Sequence, residues 1–107
     1  MPWQVEFVNA TAQAEVDQLA VDLRARFERI SELIRSHGLK HVGEPYVKHL
    51  EGKLWEMRMK GKEGIARSLY VTAAGRRVVV LRTFMKKSQK SPRREIKLAL
   101  ERAKELK

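Results

Sequence analysis

Residues 54–87, LWEMRMKGKEGIARSLYVTAAGRRVVVLRTFMKK, decide the fold. Three apolar or alternating runs, 54–60, 65–72 and 77–84, are separated by two glycine-bearing connections. Residues two apart in a strand share a face. Trp55, Met57 and Met59 therefore fall on one face of the first run, and Leu54, Glu56 and Arg58 on the other. In the second run Ile65, Arg67, Leu69 and Val71 oppose Ala66, Ser68 and Tyr70. The third, RVVVLRTF, is apolar on both faces, which suits a central strand covered on both sides. Gly61 and Gly64 bracket the first turn, and Gly75 can take positive φ in the second. The pattern predicts a three-stranded antiparallel meander.

The meander also sets the charge. A turn centred near Lys62–Glu63 brings Arg58 and Arg67 nearly opposite each other. Like charges across a sheet repel, so a carboxylate such as Glu56 or a bound phosphate must compensate. A guanidinium takes a phosphate bidentately and keeps its charge at any working pH. Lys86 and Lys87 leave the third strand and add charge at the same edge. The plainer alternative is a solvated basic surface with locally paired arginines. Arg82 interrupts the apolar third run, and is expected near the strand's exposed end or paired with Glu56.

Before the meander, residues 39–53 read as a loop punctuated by Gly43, Pro45 and Gly52, carrying Lys48 and His49 toward the first strand. Upstream, Val16, Leu19, Leu23, Phe27, Ile30 and Ile34 form one apolar stripe at helical spacing. Asn9 or Thr11 can cap this segment and Gly38 can end it. It forms one long helix or two with a bend near residues 19–22. Residues 3–8, WQVEFV, have strand character, with Trp3, Val5 and Phe7 on one face. After a basic loop over 85–91, Ser91-Pro92 predicts a helix start, a capping serine before proline at the first helical position. The last helix places Ile96, Ala99, Leu100 and Ala103 inward, and Arg93, Arg94, Lys97, Arg102 and Lys104 toward solvent.

The 107 residues suffice for a single domain (1–107) with a real core. The net charge of +10 is uneven: residues 1–52 carry a net −2 and residues 53–107 a net +12. A basic half attracts polyanions, nucleic acid first and an anionic membrane surface second. Cysteine is absent, which excludes disulfides and thiolate zinc sites and fits a cytoplasmic setting. No run approaches the roughly 20 apolar residues of a membrane helix, and the start lacks the pattern of a signal peptide. His37, His41 and His49 are not at helical ligand spacing, and GxGxxG, P-loop, HExxH and GxSxG motifs are absent, so no cofactor or metal is expected. Trp55, Tyr70 and Phe84 lie near the charge, where unpaired bases stack on rings, although Trp55 and Phe84 suit the core better.

Two segments carry a family pattern: PYVKHLEGKLWEMRMKGKEGIARSLY (45–70) and VVVLRTFMKKSQKSPRREIKLALERAKEL (78–106). They combine a Pro-x-x-Lys-x-Leu lead-in, a Leu-Trp-Glu-x-Arg strand and an Arg-x-x-Tyr strand. An apolar strand ending Phe-x-Lys-Lys, a Ser-x-Lys-Ser-Pro turn and a Glu-Ile…Ala…Arg helix follow. This order resembles the phage-derived branch of the RelE/HigB-like toxins, over roughly residues 43–106 and more loosely upstream. The resemblance implies an α+β RelE-like domain with a mainly antiparallel sheet, in the order β-α-α-β-β-β-α. The family commonly breaks its two early helices with a proline, where this chain has Leu19-Ala20.

The resemblance further implies a type II toxin that cuts ribosome-bound mRNA without metal. A cognate antitoxin, often a helix-turn-helix DNA-binding protein, neutralises such toxins. Arg58, Arg67, Lys86 and Lys87 are then the catalytic candidates, with Tyr70, Glu56 and His49 as rivals for proton transfer. Lys48, Lys53, Lys60, Lys62, Arg82 and Lys90 are the expected RNA-binding cations. Some relatives use histidine, tyrosine or aspartate near the C-terminus, and this C-terminal helix offers none. Two alternatives stand beside this reading: a ParE-like gyrase inhibitor on a related fold, and a non-catalytic basic nucleic-acid-binding module.

Overall fold

The computed structural model describes residues 2–87 and 92–106. Its elements are β1 (Gln4–Phe7), α1 (Ala10–Asp17), α2 (Val21–His37), a 3-10 turn (Leu39–His41), β2 (Val47–Glu51), β3 (Leu54–Gly61), β4 (Gly64–Ala73), β5 (Arg77–Met85) and α3 (Arg93–Ala103). The five strands form one sheet in the order β1-β5-β4-β3-β2. β2 to β5 run antiparallel, and β1 joins β5 in parallel. The expected α+β class is borne out, with one added strand. β2 lies in the stretch read as a loop. It is a five-residue edge strand in which only Val47 is buried, which leaves little alternation to read.

The early helical segment forms two helices. Asn9, not Thr11, caps α1 by accepting from the Ala12 N–H at 2.8 Å. The break comes at Gln18–Ala20, where Ala20 is extended and has no side-chain cap. Asp22 anchors the start of α2 instead, accepting the Lys62 N–H of the β3–β4 turn at 2.7 Å. That approach requires Gly61, because a Cβ there would meet Asp22 Oδ2 at 2.6 Å and a Leu23 methyl at 2.8 Å.

The sheet has one core on each face. Phe27, Ile30 and Ile34 of α2 pack on Met57, Met59, Ala66, Tyr70, Val78 and Val80. Trp3, Val5 and Phe7 border this core as expected, with Phe7 stacked on Phe27 at 5.8 Å. On the other face Ile96 and Ala99 of α3 pack on Leu54, Leu69, Val79, Leu81 and Phe84. β5 is thus an interior strand buried on both faces, as its sequence predicts.

α3 departs from its expected face. Leu100 is 43% exposed. Arg102 turns inward, donating to both Glu15 carboxylate oxygens at 2.8 and 2.9 Å and to the Leu81 carbonyl at 2.9 Å. Glu95 is also buried. Pro92 stands at the cap position, and Ser91 lies outside the described residues.

Candidate active site

The two-residue Lys62–Glu63 turn closes with Gly61 opposite Gly64, and that register places Arg58 directly opposite Arg67. The same register extends across the sheet. The Arg58 N–H donates to the Tyr46 carbonyl at 2.8 Å, which sets Tyr46 beside Arg58 just ahead of β2. Arg67 pairs with Phe84 on β5. One row therefore runs Tyr46, Arg58, Arg67, Phe84, two cations between two aromatic residues. All four side chains share the face that carries α3.

Glu56 compensates the facing arginines. It lies two residues before Arg58, on the same face, and is buried. Its Oε2 is 3.4 Å from Arg67 Nη1, and its Oε1 is 3.9 Å from Arg58 Nε. Arg67 is buried, whereas the Arg58 side chain is one-third exposed at 32%. Arg67 thus forms the floor of the cluster and Arg58 its accessible edge. Burial and the Arg58 charge weaken the Arg67 guanidinium's hold on its proton, and Glu56 strengthens it. A guanidinium stays ionised through such shifts.

Lys86 completes the cluster. Its N–H donates to the Ile65 carbonyl at 2.7 Å, carrying the β4–β5 ladder past Met85. Partial desolvation pushes its ammonium below the ordinary lysine range, aided by Arg67, Arg58 and Lys48 and opposed by Glu56. Lys48 reaches this face as the cross-strand neighbour of Glu56, and Lys60 as the cross-strand neighbour of Ile65. Lys87 is exposed beside Lys86.

Other candidates fall elsewhere. Tyr70 lies on the opposite face, fully buried in the α2 core, with a hydroxyl that has no hydrogen-bond partner among the described residues and a pKa driven up by burial. Strand parity thus removes Tyr70 from the arginine cluster. His49 pairs with Trp55 and so shares Tyr70's face. It meets the Trp55 ring edge-on at 4.9 Å and donates Nε2–H to the Gly52 carbonyl at 2.8 Å.

Arg82 is paired with carboxylates other than Glu56. It is held by Glu95 of α3 at 2.8 Å and Glu15 of α1 at 2.6 Å. Leu69 stands between Arg82 and Glu56 in the row across the sheet, and β5 carries a bulge here: Leu69 pairs with Arg82 and Tyr70 with Val80, so Leu81 is an extra residue. Lys53 sits in the β2–β3 turn and Lys62 in the β3–β4 turn, both exposed. Lys90 lies outside the described residues. Tyr46 was not among the expected site residues. Its signal was parity with Lys48, legible only once β2 is known to be a strand.

Among the described residues, no group of three or more histidine or acidic side chains is placed to hold a metal ion. None of the described helices is long and apolar enough to cross a membrane.

Residues 14–104 match the family model described as Phage derived protein Gp49-like (DUF891). The chain belongs to this Gp49-like family. The expected resemblance to the phage-derived branch is thereby borne out. Among solved structures, an arginine double mutant of the Escherichia coli toxin RelE in the free state is similar in fold. Its TM-score is 0.64 at 16% identity, with 95% of this chain and 98% of that chain covered. No curated protein matches the sequence. The Gp49-like chain thus has a RelE-like fold.

Proposed function

We propose that this Gp49-like protein is the toxin of a type II toxin–antitoxin pair and acts in the cytoplasm as a metal-independent endoribonuclease on ribosome-bound mRNA. One observation carries this reading: Arg58 and Arg67 face each other across β3 and β4 with Lys86 alongside. Two guanidiniums and an ammonium on one open sheet face suit a phosphodiester whose charge grows during reaction. The RelE-like fold of a family member supports the assignment.

In the proposed reaction the RNA 2′-hydroxyl attacks the adjacent phosphorus and the bond to the 5′-oxygen breaks. The products are a 2′,3′-cyclic phosphate and a free 5′-hydroxyl. Arg58 meets the phosphoryl oxygens, and Arg67 adds its charge from beneath. Lys86, its ammonium made more acidic by its surroundings, protonates the leaving 5′-oxygen. Of the three rivals for proton transfer, only Glu56 shares the arginine face, and it is the proton acceptor in this scheme. Lys48, Lys60 and Lys87 supply further attraction for the backbone. A cognate helix-turn-helix antitoxin is the expected neutralising partner.

The test is induced expression without antitoxin, with mRNA 5′ ends mapped. Growth arrest with new ends inside translated codons supports the reading. Intact mRNA with gyrase-dependent DNA damage would instead make the protein a ParE-like gyrase inhibitor. Salt-sensitive nucleic-acid binding without cleavage or arrest would make it a binding module.

A further inference from the structure

Arg26, Pro45, Tyr46, Arg58, Lys60 and Ile65 wall a cavity of about 350 Å³ beside the arginine pair. Three of the six are cations, and among the described residues no carboxylate lines it. Tyr46 is 37% exposed, one of four large apolar side chains among the described residues that the fold leaves out of its cores. Its backbone is fixed to Arg58 by the 2.8 Å hydrogen bond, so both side chains leave the sheet edge from neighbouring positions and line the same cavity. The volume lies at the low end of the roughly 300–1,000 Å³ typical of ligand pockets, which fits one nucleotide unit.

We propose that this cavity is a nucleobase subsite. An unpaired RNA base next to the cleaved phosphate stacks on Tyr46, and Arg26 and Lys60 hold the phosphate beyond it. The inference rests on the endoribonuclease reading and deepens it by naming what binds beside Arg58. An aromatic face between cations is the arrangement that takes single-stranded nucleic acid, because every base has a π-face and every nucleotide a charge. Stacking also fixes the sugar next to the scissile bond, where the 2′-hydroxyl must line up with the phosphorus.

Ribosomes programmed with mRNA that carries a 2′-O-methyl group on the attacking oxygen hold the substrate uncut, so affinity can be read directly. Tyr46→Ala is expected to bind roughly 5- to 150-fold more weakly, the range of a lost base stack. Tyr46→Phe should bind like the native chain. An abasic nucleotide, moved in turn through each position of the cleaved codon, should weaken the native chain at one position and leave Tyr46→Ala unaffected there. Equal affinity of Tyr46→Ala and the native chain, or no abasic position that matters, overturns the subsite. The abasic series uses the native chain and stands even if a variant fails to fold. If the native chain neither binds nor cuts programmed ribosomes, the endoribonuclease reading falls together with the subsite. If it cuts them and Tyr46 has no effect, only the subsite falls.

Discussion

Arg58 and Arg67 occupy opposing positions on neighbouring strands, and the buried Glu56 carboxylate lies 3.4 Å from one and 3.9 Å from the other. The two cations differ in access, and their substitutions separate accordingly. Arg58→Gln should leave stability within about 0.5 kcal/mol, as for a partly exposed side chain. It should slow mRNA cleavage by about 100-fold or more, the scale of one lost transition-state donor. Arg67→Gln leaves Glu56 buried without its nearer cation and should cost on the order of 3 kcal/mol as well. Thermal melts beside single-turnover cleavage distinguish the two, and a fully active Arg58→Gln would overturn the site.

Lys86 predicts a pH signature. As a general acid it works in the protonated form, so cleavage should decline as pH rises through its lowered pKa. Lys86→Arg keeps the charge and does not titrate in that range. It should therefore be slower and lack the declining limb. An unchanged pH–rate profile in Lys86→Arg would remove Lys86 from proton transfer.

Tyr70→Phe tests the exclusion of Tyr70. The hydroxyl is buried without a partner among the described residues, and such a group costs about 1–3 kcal/mol. Its removal should leave stability unchanged or raise it, and cleavage should match the native chain. A loss of activity with the fold intact would return Tyr70 to the mechanism.

The contact between α2 and the β3–β4 turn predicts a stability defect. Gly61→Ala should destabilise by about 1–3 kcal/mol, because the added methyl overlaps Asp22 and Leu23. Denaturant melts measure this directly. Hydrogen bonding by the Lys62 N–H holds the Asp22 carboxyl below its ordinary range. Its stabilising effect is therefore present above the unfolded-state pKa and lost as pH falls through the folded one. Asp22→Asn should flatten that part of the acid limb.

Glu15 joins α1, β5 and α3 through Arg82, Arg102 and the Thr83 N–H. Burial disfavours its ionised form, but Arg102, the Thr83 amide and Arg82 together outweigh burial and lower its pKa. The sign matches that of Asp22, with stability lost as pH falls below the ordinary glutamate range. Glu15→Gln should cost on the order of 3 kcal/mol at neutral pH and much less in acid, which melts at two pH values would show.

Much of the site was legible before the structure because strand parity and turn length are local properties. A two-residue turn fixes which residues face each other, so Arg58 and Arg67 could be paired from residues 54–70. The same parity already separated Arg67 from Tyr70. β2 was not legible, since an edge strand with few buried residues has a loop's composition, and Tyr46 was overlooked with it. Arg82 and Arg102 were misplaced for another reason. Their partner Glu15 is 67 and 87 residues away in sequence, and no local pattern reports such a pairing.

The sequence by itself determined the meander, the helical stripe, the basic C-terminal half and the family. Each is written in residue type and order along the chain and needs no contact between distant segments to be read. Only the tertiary structure decided which cations stay available. The packing of α1 and α3 draws Arg82 and Arg102 into carboxylates, while Arg58, Lys60 and Lys86 remain on the open half of the same face. Coulomb pairing depends on distance in space, and folding alone sets that distance.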